Sequence, residues 1–254
     1  MIHIWHEDST SSATTSFWQF LSRNKVYPLL NIIDIQGFNG NNRLADAVRT
    51  AKFVKSDTYI ILADMVLDNA KALKYYLDIK KSISNYKNVY LAKLLSFEYM
   101  MLRFRHIITW TERDKHIKSY DEAALVRDRF IQCIDNGLSW TNDNLIVSFV
   151  IKYKSIDTSR VDWRSELNYI SSEKVATLIL SLLTNGGNRE FGIRKTLLGD
   201  CWTCNCCVRH FANDTVANKS CKLYRYKKSS KDKANNLWNG TLAKQIVYRA
   251  CKQK

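Results

Sequence analysis

Proline is nearly missing from this 254-residue chain; the one proline, Pro28, marks the turn out of the first helical stretch. Also missing is any apolar run near the roughly 18 residues that a membrane-spanning helix needs. The longest candidates, Leu145–Ile151 and Val175–Leu183, are too short. The opening stretch, Met1-Ile-His-Ile-Trp-His-Glu-Asp8, has acids where a signal peptide has bases and a long apolar core. Together these absences point to a soluble, cytoplasmic protein with no membrane partner. The histidines show no HxH or HExxH spacing, which excludes the short histidine–zinc motifs. Lone histidines are as a rule structural, and only His6, beside the acids Glu7 and Asp8, merits a test. No internal repeat and no low-complexity linker interrupts the chain, so the second half is expected to pack on the first.

Acidic residues are in short supply. The formal charge is +15 and the isoelectric point about 9.5. The imbalance is concentrated at one end, where residues 201–254 hold 12 Lys/Arg against two Asp. A basic excess of this kind points to a polyanionic partner, nucleic acid first. The hydrophobic share of 46% is that of a globular chain.

The acids that remain fall in informative places. Thr58-Tyr-Ile-Ile-Leu-Ala-Asp64 is a β-branched and aromatic run that reads as a strand buried on both faces. A carboxylate ending such a strand is costly unless it is paired or binds a metal. Asp68 follows within one turn, where it either joins Asp64 or caps the next helix. Ile2–Trp5 reads as a first strand, ended by Glu7 and Asp8, with a helix to about Arg23. Leu29–Ile35 reads as a second, followed by the loop Gly37-Phe-Asn-Gly-Asn-Asn42 and a helix over about 43–54. A helix over 70–84 leads to a fourth strand, Val89–Leu94. This is an α/β pattern with short connections, which gives a four-stranded parallel sheet covered on both sides. The ends of strands one and three then open on one edge, bringing Glu7, Asp8, Asp64 and Asp68 together. Glu98, in Ser96-Phe-Glu-Tyr99, reaches the same edge.

This succession of acids and loops over about residues 1–105 resembles the Toprim domain of topoisomerases, primases and OLD-family nucleases, and the Ser96-Phe-Glu-Tyr99 stretch is most similar to the nuclease branch. The resemblance implies a Mg²⁺ or Mn²⁺ site for phosphodiester chemistry. It implies Glu7 as acid/base and ligand, Asp64 as the first acid of the third-strand pair, and Glu98 as a further ligand; Asp8 and Asp68, at the same edge, complete the candidate ligand set. A setting in phage defence or on a mobile element goes with that branch. The family's third strand usually ends Asp-x-Asp; here the next acid is Asp68 and Val66 stands between. A second expectation therefore stands beside the first: a Toprim-like shell without turnover that binds nucleic acid or a partner protein.

Residues 1–110 are thus read as a Toprim-like α/β domain and 111–254 as a mainly helical region. Helices are expected over Tyr120–Asp135, stopped by Asn136-Gly137, over Trp163–Asn185 with a break near Ser171-Ser172, and over Leu237–Cys251. Leu145–Tyr153 fits helix or strand. Phe104–Lys118 mixes aromatic and basic residues, as an ordinary solvated surface does and as a nucleic-acid face does. Five of the seven cysteines fall within 201–221. In an intracellular chain that suggests metal rather than disulfides. Cys201, Cys204, Cys207 and Cys221 could grip one tetrahedral Zn²⁺, or, on the same spacing, an iron–sulfur cluster. The following run places Lys222, Arg225, Lys227, Lys228, Lys231 and Lys233 among tyrosines, a composition suited to phosphate contacts and base stacking. Together these features set the expected function: a metal-dependent nuclease with a C-terminal metal knuckle and basic tail.

Overall fold

The computed structural model describes residues 1–10, 12–27, 33–108, 118–185 and 230–252. Its centre is a four-stranded, all-parallel sheet in the order β2-β1-β3-β4. The strands are β1 (Ile2–His6), β2 (Ile33–Gly37), β3 (Thr58–Leu62) and β4 (Val89–Leu91). β1 and β3 are the inner strands, and every residue of β3 is buried, as its unbroken apolar run requires. Their register pairs Ile4 with Ile60 and His6 with Leu62, so both strands end side by side.

The connecting helices are α1 (Ala13–Arg23), α2 (Asn41–Thr50) and α3 (Ala70–Ser82). Ser12 starts α1 by accepting from Thr15 N, and Asn69 starts α3 by accepting from Ala72 N. Each satisfies one of the amides that a helix start leaves without an internal partner. α2 and α3 cover one face of the sheet, where Leu44, Val48 and Ile79 pack with Tyr59 and Ile61. α1 covers the other, with Phe17 and Trp18 against Ile4, Ile60 and Leu62.

That second face is completed by the helical half of the chain. After α4 (Phe97–Leu102) come α5 (Lys118–Asp135), a 3₁₀ turn at Trp140–Asn142, α6 (Asn144–Lys154), α7 (Trp163–Leu167), α8 (Ser172–Asn185), α9 (Ser230–Gly240) and α10 (Ala243–Lys252). Phe130, Ile179, Leu183, Leu237 and Ile246 share one core with the sheet residues Ile4 and Ile60. None of the helices among the described residues is long and apolar enough to cross a membrane.

Several boundaries differ from the sequence reading. β2 lies at Ile33–Gly37, because its position is set by pairing with β1, Ile2 opposite Ile33 and His6 opposite Gly37; residues 28–32 lie outside the described residues. β4 stops at Leu91, and pairing with the third strand resumes only at the single bridge Asp64–Leu94. The ambiguous run Leu145–Tyr153 is helical: Asp143 caps α6 by accepting from Leu145 N and Ile146 N. The expected last helix is two helices. The chain turns at Thr241, whose Oγ1 accepts from Ala243 N at 3.2 Å. Gly240 at this turn lies against the Phe104 ring, and a Cβ there would stand 2.9 Å from it.

Gly37 has a more direct bearing on the acids. A Cβ on it would fall 2.5 Å from the Asp8 carbonyl oxygen. From the same loop Phe38 N donates to His6 O, Asn39 N to Asp8 O and Gly40 N to Glu7 O. The glycine/asparagine loop is therefore the bed on which the acidic turn rests. Gly37→Ala should push that turn off its seat and destabilise the fold by about 1–3 kcal/mol, the usual range for overpacking. Chemical denaturation of the variant measures this; an unchanged midpoint would show that the loop yields freely.

Candidate functional site

β1 sends its chain to β2 on one side, whereas β3 sends its chain to β4 on the other. The crevice beyond the carboxyl ends of β1 and β3 is thus the switch point of the sheet, where open parallel sheets bind ligands because the connections diverge. Glu7 is one residue past the end of β1, and Asp64 two past the end of β3.

The two carboxyl groups act on each other's ionisation. Burial holds the Asp64 carboxyl well above the usual carboxylate range, reinforced by the charge and hydrogen bond of Glu7 and by the charges of Glu173 and Glu98. Glu7 is pushed up to about 7, by burial first and against the opposing hydrogen bond from Asp64, with Asp8, Glu173 and Glu98 adding like charge. The site is thus a carboxyl pair, Asp64 buried and Glu7 half-buried, with further acids acting on it.

Glu98 is buried, in the first turn of α4, which Ser96 caps through Tyr99 N at 3.2 Å. Asp8 turns aside: its Oδ2 accepts from Thr14 Oγ1 at 2.5 Å, tying the acidic turn to the start of α1. His6 is buried behind it, Nε2 2.8 Å from Thr15 Oγ1. Burial lowers the imidazole to about 4, with Asp8 opposing, so it is neutral at physiological pH. His6 braces β1 against α1.

Asp68 has a partner that neither of its expected roles supplies. Its Oδ2 accepts from Ser172 N at 2.8 Å and from Ser172 Oγ at 2.6 Å, across 104 residues of sequence. Asn69, not Asp68, caps α3. Asp68 instead fastens the loop after β3 to the first residue of α8, where the sequence reading expects a break. The next residue is Glu173, whose charge reaches both members of the carboxyl pair. Sequence reasoning missed Glu173 because an acid in the first turn of an amphipathic helix is an ordinary helix start.

Of the remaining expected residues, Cys201, Cys204, Cys207, Cys221, Lys222, Arg225, Lys227 and Lys228 lie outside the described residues. Lys231 is exposed on α9, and Lys233 belongs to the same helix. Of the other cysteines, Cys133 is buried and Cys251 half-buried, both as free thiols. No protein-family model, curated protein or solved structure matches this chain.

The donor set suits a hard divalent ion. Carboxylate oxygens are the ligands Mg²⁺ and Mn²⁺ prefer, and neighbouring acids whose ionisation is opposed by burial and by one another make a place where a cation is favoured. Among the described residues no three acid, histidine or cysteine side chains stand close enough to hold one ion together. An ion placed here would have to ionise Asp64 and draw in Glu98 or Glu173. Glu173→Gln should weaken Mg²⁺ binding by roughly 10-fold, as changes to supporting groups of a metal site do. The same variant should stabilise the metal-free protein at pH 8 by removing a like charge. Asp68→Ala should cost about 1 kcal/mol through the lost cap on α8. Melting curves recorded against Mg²⁺ concentration read all three effects. An unchanged Mg²⁺ midpoint in Glu173→Gln would remove that residue from the site.

Proposed function

We propose that this chain is a Toprim-like, metal-dependent nuclease. The observation that supports it best is the pairing of buried Asp64 with half-buried Glu7 at the switch point of a parallel sheet, under the charges of Glu98 and Glu173. In this reading Glu7, Asp64, Glu98 and Glu173 hold Mg²⁺ or Mn²⁺. Asp8 and Asp68 position the two loops that carry the pair. When bound, the ion would act as a Lewis acid on the phosphate and lower the pKa of a water nucleophile. Glu7, beside the ion, would move the proton of that water. The excess positive charge of the chain would attract the nucleic-acid backbone, with Lys222, Arg225, Lys227, Lys228, Lys231 and Lys233 as its grip. Cys201, Cys204, Cys207 and Cys221 would hold Zn²⁺ as a structural knuckle.

The test is cleavage of plasmid, single-stranded DNA and RNA by the purified chain with Mg²⁺ or Mn²⁺, against a chelator control. Cleavage that needs the ion supports the proposal. Retention of nucleic acid without cleavage in any ion would favour the binding module instead.

A further inference from the structure

The loops that carry the acids also wall a cavity of about 530 Å³. Met65, next in sequence to Asp64, lines it together with Leu95, Ile134, Leu138 and Leu242. Most of its polar groups are committed to one another. Asp68 is bound to Ser172. Arg103 pairs with Asp135, which also accepts from Tyr99 Oη at 2.6 Å. Two are not committed: Lys93 and Gln245, both exposed at the cavity, make no hydrogen bond or ion pair among the described residues. The cavity therefore presents an apolar floor, one amide able to donate and accept, and one unspent cation.

Its volume is in the range of pockets that enclose compact organic ligands. A ligand that uses all three features has a flat, weakly polar body with donors and acceptors on its edge, and an anionic group to one side. A nucleoside monophosphate has that chemistry. The location adds to the argument, because the 64–68 loop is at once the wall of the cavity and the carrier of Asp64. The backbone holds this wall in place: Met65 N donates to Leu94 O at 2.8 Å, next to Lys93.

We propose that this cavity receives one nucleotide unit of the nucleic-acid strand, its base over the apolar floor and Gln245, its phosphate on Lys93. The inference rests on reading the carboxyl pair as a phosphodiesterase centre, since it makes the cavity the subsite beside the scissile bond.

The test uses the full chain in chelator, with 5′-AMP and adenosine as probes, by titration calorimetry. AMP should bind roughly tenfold tighter than adenosine, as one charge-assisted contact gives. Lys93→Gln should bring AMP to the level of adenosine and leave adenosine unchanged. Leu138→Trp should abolish binding of both probes by filling the cavity. Leu138 is 53% exposed, so the fold tolerates the larger ring, and a melting curve verifies this. Equal affinity of wild type and Lys93→Gln for AMP would overturn the assignment, as would AMP binding by Leu138→Trp at wild-type strength. So would binding of decanoate in preference to AMP, which would mark an acyl pocket. AMP binding in the expected pattern, with no ion-dependent cleavage of any nucleic acid, would uphold the cavity's ligand and remove the nuclease reading. Cleavage without AMP binding would remove the cavity proposal alone.

Discussion

Asp64→Asn and Glu7→Gln should each lower ion-dependent cleavage by roughly 10²–10³-fold, about 3–4 kcal/mol of barrier. The variants keep the size of each side chain and remove only its charge. Asp64→Asn leaves an amide that can still donate to Glu7, so the pair stays joined while losing the second anion an ion needs. Glu7→Gln also removes the group poised to take a proton. The two changes act on one unit, so the double variant should be little worse than either single one. Parallel measurement of folding keeps the test clean, because both variants should be at least as stable as wild type at pH 8. Full activity in either would show that the pair does not hold the catalytic ion.

The stability of the metal-free protein should fall between pH 6 and 8, with Glu7 alone contributing about 1.4 kcal/mol of the loss, and saturating Mg²⁺ should restore most of it. The sign follows from where the protons are. Glu7 loses its proton near pH 4.5 in the unfolded chain and near 7 in the folded one, and Asp64 is shifted in the same direction. In that interval the folded state binds more protons, so raising the pH favours unfolding. His6 works the other way. Its folded value is lowered from 6.5 to about 4, so it contributes stability above 6.5 that is lost as the pH falls towards 4. The opposing effects overlap below pH 6.5, which leaves the steepest loss above it. Glu7→Gln should flatten the profile between pH 6 and 8. Denaturant titrations across this range, with and without Mg²⁺, check each point. A metal-free profile that rises with pH would mean the pair does not keep its proton in the fold.

Much of this architecture is local in origin, and what is local can be read from the sequence. The alternation of short apolar runs with amphipathic stretches specifies strands and helices, because side-chain spacing alone decides which residues share a face. Right-handed crossovers then lead to a parallel sheet, and the structure has one, with Glu7 and Asp64 at the same edge. The cysteines expected to form a metal knuckle lie outside the described residues.

What the sequence could not carry is which elements meet. Ser172 and Glu173 look like any helix start until Asp68, 104 residues earlier, is seen to hold that start beside the carboxyl pair. The break between α9 and α10 falls where Gly240 meets the Phe104 ring. The same holds for the cavity, which five separate parts of the chain enclose. Periodicity along a chain fixes faces, but docking is a competition among all apolar faces for burial. Its outcome is decided by shape and by the few long-range hydrogen bonds that shape permits. The chain thus specified by itself a parallel sheet with acids at one edge. Only the tertiary structure decided that the helical half would close over that edge and bring Glu173 to it.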